Sequence, residues 1–392
     1  MLDPLKLVAP SGWELVPLIE VVEFLDSLRV PIKEADRALR QGAYPYYGAS
    51  GVIDYVDGFI FDEELVLLAE DGANIINRSS PIAFRASGKI WVNNHAHVLR
   101  ARSGNDVDYV AQFLEGLRYD AFNTGSTQPK LNRDVCEAIP TLRPPICEQR
   151  RIADILRTWD EAIEKTDRLI ASKSKAFDHW SLMLLSGRKR LGSTRSNWQS
   201  VALTDVTSEA TTRNGGSLGD DVVMGVNKSL GMIPMKDHVR AADLSRYKVV
   251  APEAFAYNPM RLNIGSIAQN LHGREVLVSP DYVAFSANSD ALLPAYFDYL
   301  RRSWLWSRFV KTAGSGGVRV RIYYDDLADF VFELPPVPEQ RRIVDVLDTG
   351  RREIALLEAQ RDTLAKQKRG LMQKLLTGEW PVSLPKSQEA AE

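Results

Sequence analysis

The chain has 392 residues, 45% of them hydrophobic and 26% charged, with a formal net charge of −2. This length suits two or three domains, and the composition is that of an ordinary globular protein, not a disordered, fibrous or disulfide-stapled one. No apolar run reaches the roughly 18–20 residues needed to cross a bilayer, and near-neutral charge argues against tight, autonomous DNA binding, which needs concentrated Lys and Arg.

Residues 1–143 form a first unit. It opens on Gly12-Trp13-Glu14-Leu15, and Gly42, Gly48, Gly51, Gly58 and Gly72 then punctuate short runs rich in Val, Ile, Tyr and Phe. That pattern predicts strands and turns. A strand pair is expected at Ile82–Phe84 and Ile90–Arg100, a helix over Asp106–Arg118, and a polar loop over Asn123–Lys130. Residues 144–191 read as a long helix. The paired prolines Pro144-Pro145 end the preceding segment, Glu148 suits the positive end of the helix dipole, and Ile152, Ile155, Trp159, Ile163, Leu169 and Ile170 recur at helical spacing.

Residues 192–334 form a second unit, opened by Asn197-Trp198, an echo of Gly12-Trp13. Val249–Tyr257, Gly265–Ala268 and Val276–Phe285 are predicted strands, and Leu293–Val310 is a predicted helix followed by a Gly/Ser loop. Residues 335–380 read as a second long helix, with Ile343, Val346, Leu347, Ile354, Leu357, Leu364, Leu371 and Leu375 as its apolar stripe. Gly350 and Gly370 allow small distortions along it. Residues 381–392 are expected to be a disordered polar tail.

The two long helices are copies. Pro144–Leu156 reads PPICEQRRIADIL and Pro335–Leu347 reads PPVPEQRRIVDVL, 191 residues further on, with nine of thirteen positions identical. The same offset carries Leu184-Leu185-Ser186-Gly187 onto Leu375-Leu376-Thr377-Gly378, Gly125 onto Gly316, Lys130 onto Arg321 and Asp134 onto Asp325. Such a match marks an internal duplication. A helix of about 40 residues, roughly 60 Å long, cannot bury its stripe alone, so the copies are expected to pair as a coiled coil, the alternative being that each packs on its own neighbouring domain. The predicted fold class is α+β, with two mixed α/β domains alternating with two long helices.

Catalytic constellations are missing. There is no phosphate-cradling loop, no nucleophile elbow and no Cys/His zinc spacing. Cys136 and Cys147 read as reduced thiols of a cytoplasmic chain without a leader. His95 and His97 lack a third ligand and read as structural or base-contacting, Tyr257-Asn258-Pro259-Met260 lacks what an amino-methyltransferase motif requires, and Asp325-Asp326 reads as a cap. No residue is assigned to catalysis or to a metal. Each unit does carry groups suited to base edges and phosphates. These are Thr124, Ser126, Thr127, Gln128 and Lys130 in the first loop, and Ser315, Arg319 and Arg321 in the second. Arg78 and Asn94 in the first unit, and Asn258, Arg261 and Asn263 in the second, are further candidates, each with a turn or cap role as its competitor.

Two variable units alternating with two near-identical long helices that begin Pro-Pro-x-x-Glu-Gln-Arg-Arg-Ile resemble the specificity subunit of type I restriction–modification systems. The resemblance spans essentially the whole chain and is carried by Glu148–Ile152, Glu339–Ile343, Thr124–Lys130 and Tyr247–Ser266. It departs at Ile146-Cys147, where the second copy has Val337-Pro338. It implies that each variable unit is a target-recognition domain reading one half of a split, asymmetric double-stranded DNA site. It also implies that the helices form an antiparallel coiled coil that fixes the gap and docks two modification subunits, with Gln149, Arg150, Arg151, Gln340, Arg341 and Arg342 as partner contacts. The chain itself would be non-catalytic and without a cofactor. S-adenosylmethionine would sit on the modification subunits, which methylate adenine N6, and ATP and Mg on the restriction subunits. Two alternatives stay open: a free-standing enzyme that reads and modifies DNA, and a coiled-coil scaffold without DNA-reading activity.

Overall fold

The computed structural model describes residues 1–191, 197–235, 243–313 and 321–383. The chain folds into two compact units, Met1–Arg168 together with Glu358–Glu392, and Leu169–Leu357. These cut across the expected borders, because each unit takes one end of each long helix.

The first unit holds strands β1 (Glu14–Pro17), β2 (Val22–Phe24), β3 (Gln41–Gly48), β4 (Gly51–Val56), β5 (Phe61–Asp62), β6 (Leu65–Ala69), β7 (Ala83–Ala86), β8 (Lys89–Val92), β9 (Ala96–Ala101) and β10 (Pro140–Arg143). They make a β1-β10 pair, an antiparallel sheet in the order β2-β9-β6-β7, and a sheet in the order β4-β3-β8-β5 in which β3 and β8 run parallel. Every residue of β6 is buried, as the continuous run Leu65-Val66-Leu67-Leu68-Ala69 requires of a strand covered on both faces. Helix α1 (Val107–Gly116) starts where Asp106 accepts from the Tyr109 N–H, the capping expected of an aspartate there. Its Tyr109, Phe113 and Leu114 join Val66, Leu68 and Leu99 in one core.

The second unit holds β11 (Gln199–Ala202), β12 (Thr207–Glu209), β13 (Met224–Asn227), β14 (Gly231–Pro234), β15 (Lys248–Val250), β16 (Phe255–Tyr257), β17 (Ile267–Gln269), β18 (Val276–Val278), β19 (Val283–Ala287) and β20 (Val331–Leu334). The pair β11-β20 repeats β1-β10, and the sheet β12-β19-β16-β17 repeats β2-β9-β6-β7. One topology thus underlies two dissimilar sequences. Two predicted strands are each divided: Val249–Tyr257 into β15 and β16, and Val276–Phe285 into β18 and β19. The predicted helix over Leu293–Val310 is also two helices. Between the long helices, α3 (Pro294–Leu300) ends at Arg301, and Ser303 caps a new helix, α4 (Trp304–Thr312), by accepting from the Trp306 N–H. The break lets Trp306 join Phe297 and Phe330 edge-on, with centroids 5.7 and 5.0 Å away.

The first long helix, α2, runs over Ile146–Leu185 and the second, α5, over Val337–Leu375. Their mutual contacts step in opposite directions along the two chains. In the first unit Asp160 meets Lys368 at 2.6 Å and Asp167 meets Arg361 at 3.8 Å, and in the second unit Lys173 meets Glu353 at 2.7 Å. The helices are antiparallel in each. The apolar stripe is only partly enclosed: Ile152, Ile343 and Leu347 are buried, whereas Leu169 and Val346 are largely exposed, against expectation for both. Gly350 does not distort α5. Its missing side chain admits Phe177 of α2, which a Cβ would meet at 3.0 Å. Gly350→Val is expected to cost about 1–3 kcal/mol in urea unfolding, as overpacking does, whereas Gly370→Ala, with open space around it, should raise stability slightly.

The Gly-Trp and Asn-Trp openings acquire a shared structural role. Trp13 Nε1 donates to Glu148 at 3.1 Å, and Trp198 Nε1 donates to Glu339 at 3.1 Å. Each indole also lies against the left-handed glycine that ends the other long helix. A Cβ on Gly378 would come within 3.4 Å of Trp13, and one on Gly187 within 3.1 Å of Trp198. Each tryptophan therefore locks the start of one long helix and the end of the other onto its own unit. In the second unit Arg190 reinforces the lock, with guanidinium bonds of 2.8 Å to both Glu339 oxygens. The Trp198 and Leu191 N–H groups add to these bonds, and Glu339 is held below the usual carboxylate range, Arg190 being the first cause.

Candidate nucleic-acid interface

In the first unit the polar loop is a closed turn. The Asn123 side-chain oxygen accepts from the N–H groups of Gly125 (3.0 Å) and Lys130 (2.9 Å), and Thr124 N–H donates to Lys130 C=O at 2.8 Å. Only glycine fits at 125, since a Cβ there would lie 1.8 Å from Gln128 O. Ser126, Thr127 and Gln128 are thereby thrust into solvent at the tip. The loop's return leg is tied to the chain just past β6: Leu131 N–H donates to Glu70 C=O at 2.8 Å and Gly72 N–H to Pro129 C=O at 3.0 Å.

That edge gathers further polar groups. Lys130 Nζ lies 3.4 Å from Glu70, and exposed His95 pairs with Asp71 at 2.9 Å. Asn94 is exposed on the same β8–β9 turn as His95. Arg78 does not belong here. Its guanidinium donates to Leu117 C=O and to the backbone and side chain of Glu115, leaving it mostly buried. Its candidacy for DNA contact is therefore corrected to a structural one, because both terminal nitrogens of a mostly buried guanidinium bond within the unit.

In the second unit, Ser315 and Arg319 lie outside the described residues. Arg321 is described, exposed, and donates to the Tyr323 hydroxyl at 3.3 Å. The next residue, Ile322, bonds through its N–H to Pro259 C=O at 3.2 Å, just past β16. This parallels Leu131 and Glu70 past β6, so the mapping of Lys130 onto Arg321 has a structural counterpart. Arg321 lines a cleft of about 440 Å³ with Lys248, Met260, Tyr282 and Tyr323, and with the carboxylates of Glu209 and Asp281. Burial lowers the Lys248 pKa despite Glu209 at 3.7 Å. Asn258 is half-buried and accepts from Met260 N–H at 3.0 Å, shaping the turn. Arg261 and Asn263 are exposed around the following Leu262–Ile264 turn and do not line the cleft. Asp326 accepts from Tyr323 N–H at 2.7 Å, tying the preceding chain to the short Asp325–Asp329 helix, which has no side-chain cap bond, so the cap expected of Asp325-Asp326 is not formed.

The expected partner contacts divide sharply. Arg150, Arg151, Arg341 and Arg342 are exposed. Gln149 and Gln340 are 1% and 0% exposed and cannot meet another subunit. Each clamps its unit onto its helix: Gln149 bonds Asp106 N–H (2.8 Å) and Pro144 C=O (2.8 Å), and Gln340 bonds Leu293 N–H (2.8 Å) and Pro335 C=O (2.8 Å). Glu70, Asp71, Lys248 and Tyr282 left no signal in the sequence because only the fold brings them beside the loops. Asn123 did leave a signal, an asparagine two residues before an obligatory glycine.

Among the described residues, no three His, Cys, Asp or Glu side chains converge as a metal site, and no helix is long and apolar enough to cross a membrane. What the fold presents is a pair of solvent-facing polar edges on two like-folded units. Residues 10–171 match the family described as the type I restriction modification DNA specificity domain. A Haemophilus influenzae protein named as a type I restriction enzyme specificity subunit is 27% identical over 368 residues, covering 88% of this chain and 89% of its own. The Escherichia coli EcoprrI specificity subunit is 27% identical over 117 residues, 30% of this chain and 28% of its own. The crystal structure of an S subunit from M. genitalium superposes with a TM-score of 0.59 at 13% identity, covering 96% of this chain and 99% of that one. Over most of its length the chain is thus similar to specificity subunits of type I restriction–modification systems, with the DNA specificity domain matched over residues 10–171.

Proposed function

We propose that the chain reads a bipartite, asymmetric DNA site and directs partner subunits to it without catalysing a reaction itself. The observation that carries this reading is the repeated sheet order with dissimilar loop residues, which makes two readers of one design and two specificities. The first half-site is read by the Thr124–Lys130 tip with Asn94, and the second by the edge around Arg321. The two uninterrupted helices set the length of the nonspecific gap. The exposed arginines Arg150, Arg151, Arg341 and Arg342 face two modification subunits, which bring S-adenosylmethionine and methylate adenine N6. Restriction subunits bring ATP and Mg, and the assembly works in the cytoplasm.

The test is single-molecule methylome sequencing of cells expressing this chain with its modification subunit. A split motif with N6-methyladenine on both strands, absent when this chain is deleted, is expected. Gln128→Ala should relax one half of that motif and Arg321→Ala the other, each by about 1–3 kcal/mol of discrimination if a base contact is lost. No split motif from an assembled complex active on control DNA would overturn the reading.

A further inference from the structure

Beneath the first loop lies a buried ion pair that recognition chemistry has not used. His97, on β9, is 1% exposed. Its Nδ1 lies 2.6 Å from Asp26 Oδ2, and its Nε2 lies 2.8 Å from Leu131 C=O. A carbonyl only accepts, and so does an ionised carboxylate, so both ring nitrogens donate and the ring is an imidazolium. Burial opposes that charge, but the Asp26 bond outweighs it with help from the Cys136 sulfur, and the pKa is pushed up to about 10. Burial likewise works to raise Asp26, and the His97 bond, the Val98 N–H and Arg29 together hold it below its usual range.

Arg133 sets its positive charge near Asp26, and further charged neighbours make one network with this pair. Glu70 lies 3.9 Å from His97, Arg29 bonds Glu70 at 2.7 Å and lies 3.6 Å from Asp26, and Lys130 reaches Glu70 from the loop. From the network to the loop segment, His97 bonds Leu131, the residue closing the return leg. In the second unit the matching strand β19 reads Val283-Ala284-Phe285-Ser286-Ala287, without a histidine.

We propose that His97, held doubly protonated by Asp26, is the positioning residue of the first recognition loop, setting the Thr124–Lys130 tip against one half-site only. This deepens the assignment of that loop as a DNA reader and rests on it. The imidazolium contributes most below about pH 6.5, its ordinary value, and its contribution is lost as the pH rises through about 10. Asparagine at 26 keeps an acceptor for Nδ1 but removes the charge. The ring is then neutral at pH 8 and its single proton is contested: on Nδ1 it serves the asparagine oxygen and nothing donates to Leu131, and on Nε2 the Leu131 bond survives only as a neutral one, no longer charge-assisted.

The experiment compares wild type with Asp26→Asn in the complex with modification subunits, measuring methylation of DNA mismatched in either half-site and hydrogen exchange of the full chain. Expected in Asp26→Asn is about a tenfold loss of first half-site discrimination at pH 8, the size of one hydrogen-bonded base contact, recovering toward about pH 5.5 where the ring regains its proton. Exchange at Gly72, Thr124 and Leu131 should accelerate in step, and the second half-site should stay unchanged. Discrimination and protection as insensitive to pH as in wild type, or equal losses at both half-sites at every pH, would overturn the proposal. Should the variant not fold, wild type taken above pH 10 must lose protection at these amides before the long helices do, or the proposal fails. Exchange that shifts as expected while Gln128→Ala leaves the methylated motif untouched would uphold the anchor and sink the DNA-reading role of the loop.

Discussion

A complex carrying Gly125→Val is expected to lose discrimination at one half-site by about tenfold or more, the worth of one or two base contacts, and to keep it at the other. The cause is local and severe. A Cβ at 125 would stand 1.8 Å from Gln128 O and 2.9 Å from Lys130 N, both backbone atoms that no rotamer change can move. The turn must open, and opening it breaks the Asn123 staple to Gly125 and Lys130 and the Thr124–Lys130 backbone bond. Ser126, Thr127 and Gln128 are exposed and make no part of the core, so unfolding of the first unit should shift by no more than about 1–3 kcal/mol. Methylation kinetics on DNA mismatched in each half-site separate these effects. A Gly125→Val complex that methylates the same split motif with wild-type fidelity would show that this loop does not read DNA.

Truncating either clamp glutamine should be the most damaging single change to stability. Gln340→Ala removes bonds to Leu293 N–H, Ala291 C=O and Pro335 C=O, and Gln149→Ala removes those to Asp106 N–H, Gly104 C=O and Pro144 C=O. Each leaves a buried N–H unpaired and a void where an amide was. The combined cost is about 3 kcal/mol, since an unsatisfied buried donor costs roughly 1–3 kcal/mol and the lost packing adds to it. The neighbouring Arg150→Ala and Arg341→Ala, at exposed positions, should stay within about 0.5 kcal/mol. Urea unfolding of the four variants decides the matter. Glutamine variants as stable as the arginine ones would return Gln149 and Gln340 to the list of partner contacts.

The clamp also explains why the Glu-Gln-Arg-Arg-Ile block could be seen in the sequence but not divided by role. All its residues sit in one helical turn and a half, and the turn faces two ways. Glu and Gln look inward to the Trp lock and the unit's backbone, the two Arg look outward, and Ile enters the core. Which side of a helix meets its own unit is set by the neighbouring chain, 40 or more residues away in sequence.

The sequence by itself determined the duplication, both long helices with starts within two residues and ends within six of those observed, and the loop around Gly125. These are local matters of periodicity, proline and glycine placement, and repeated words. Tertiary structure alone decided that Arg78 is spent on Glu115, that Val346 and Leu169 face solvent, that the Leu293–Val310 segment breaks at Ser303 so that Trp306 can pack on Phe297 and Phe330, and that His97 and Asp26, 71 residues apart, share a proton-bearing contact beneath the loop. Burial and hydrogen-bond partnership are properties of pairs distant in the chain, and a single sequence carries no record of which distant residues meet.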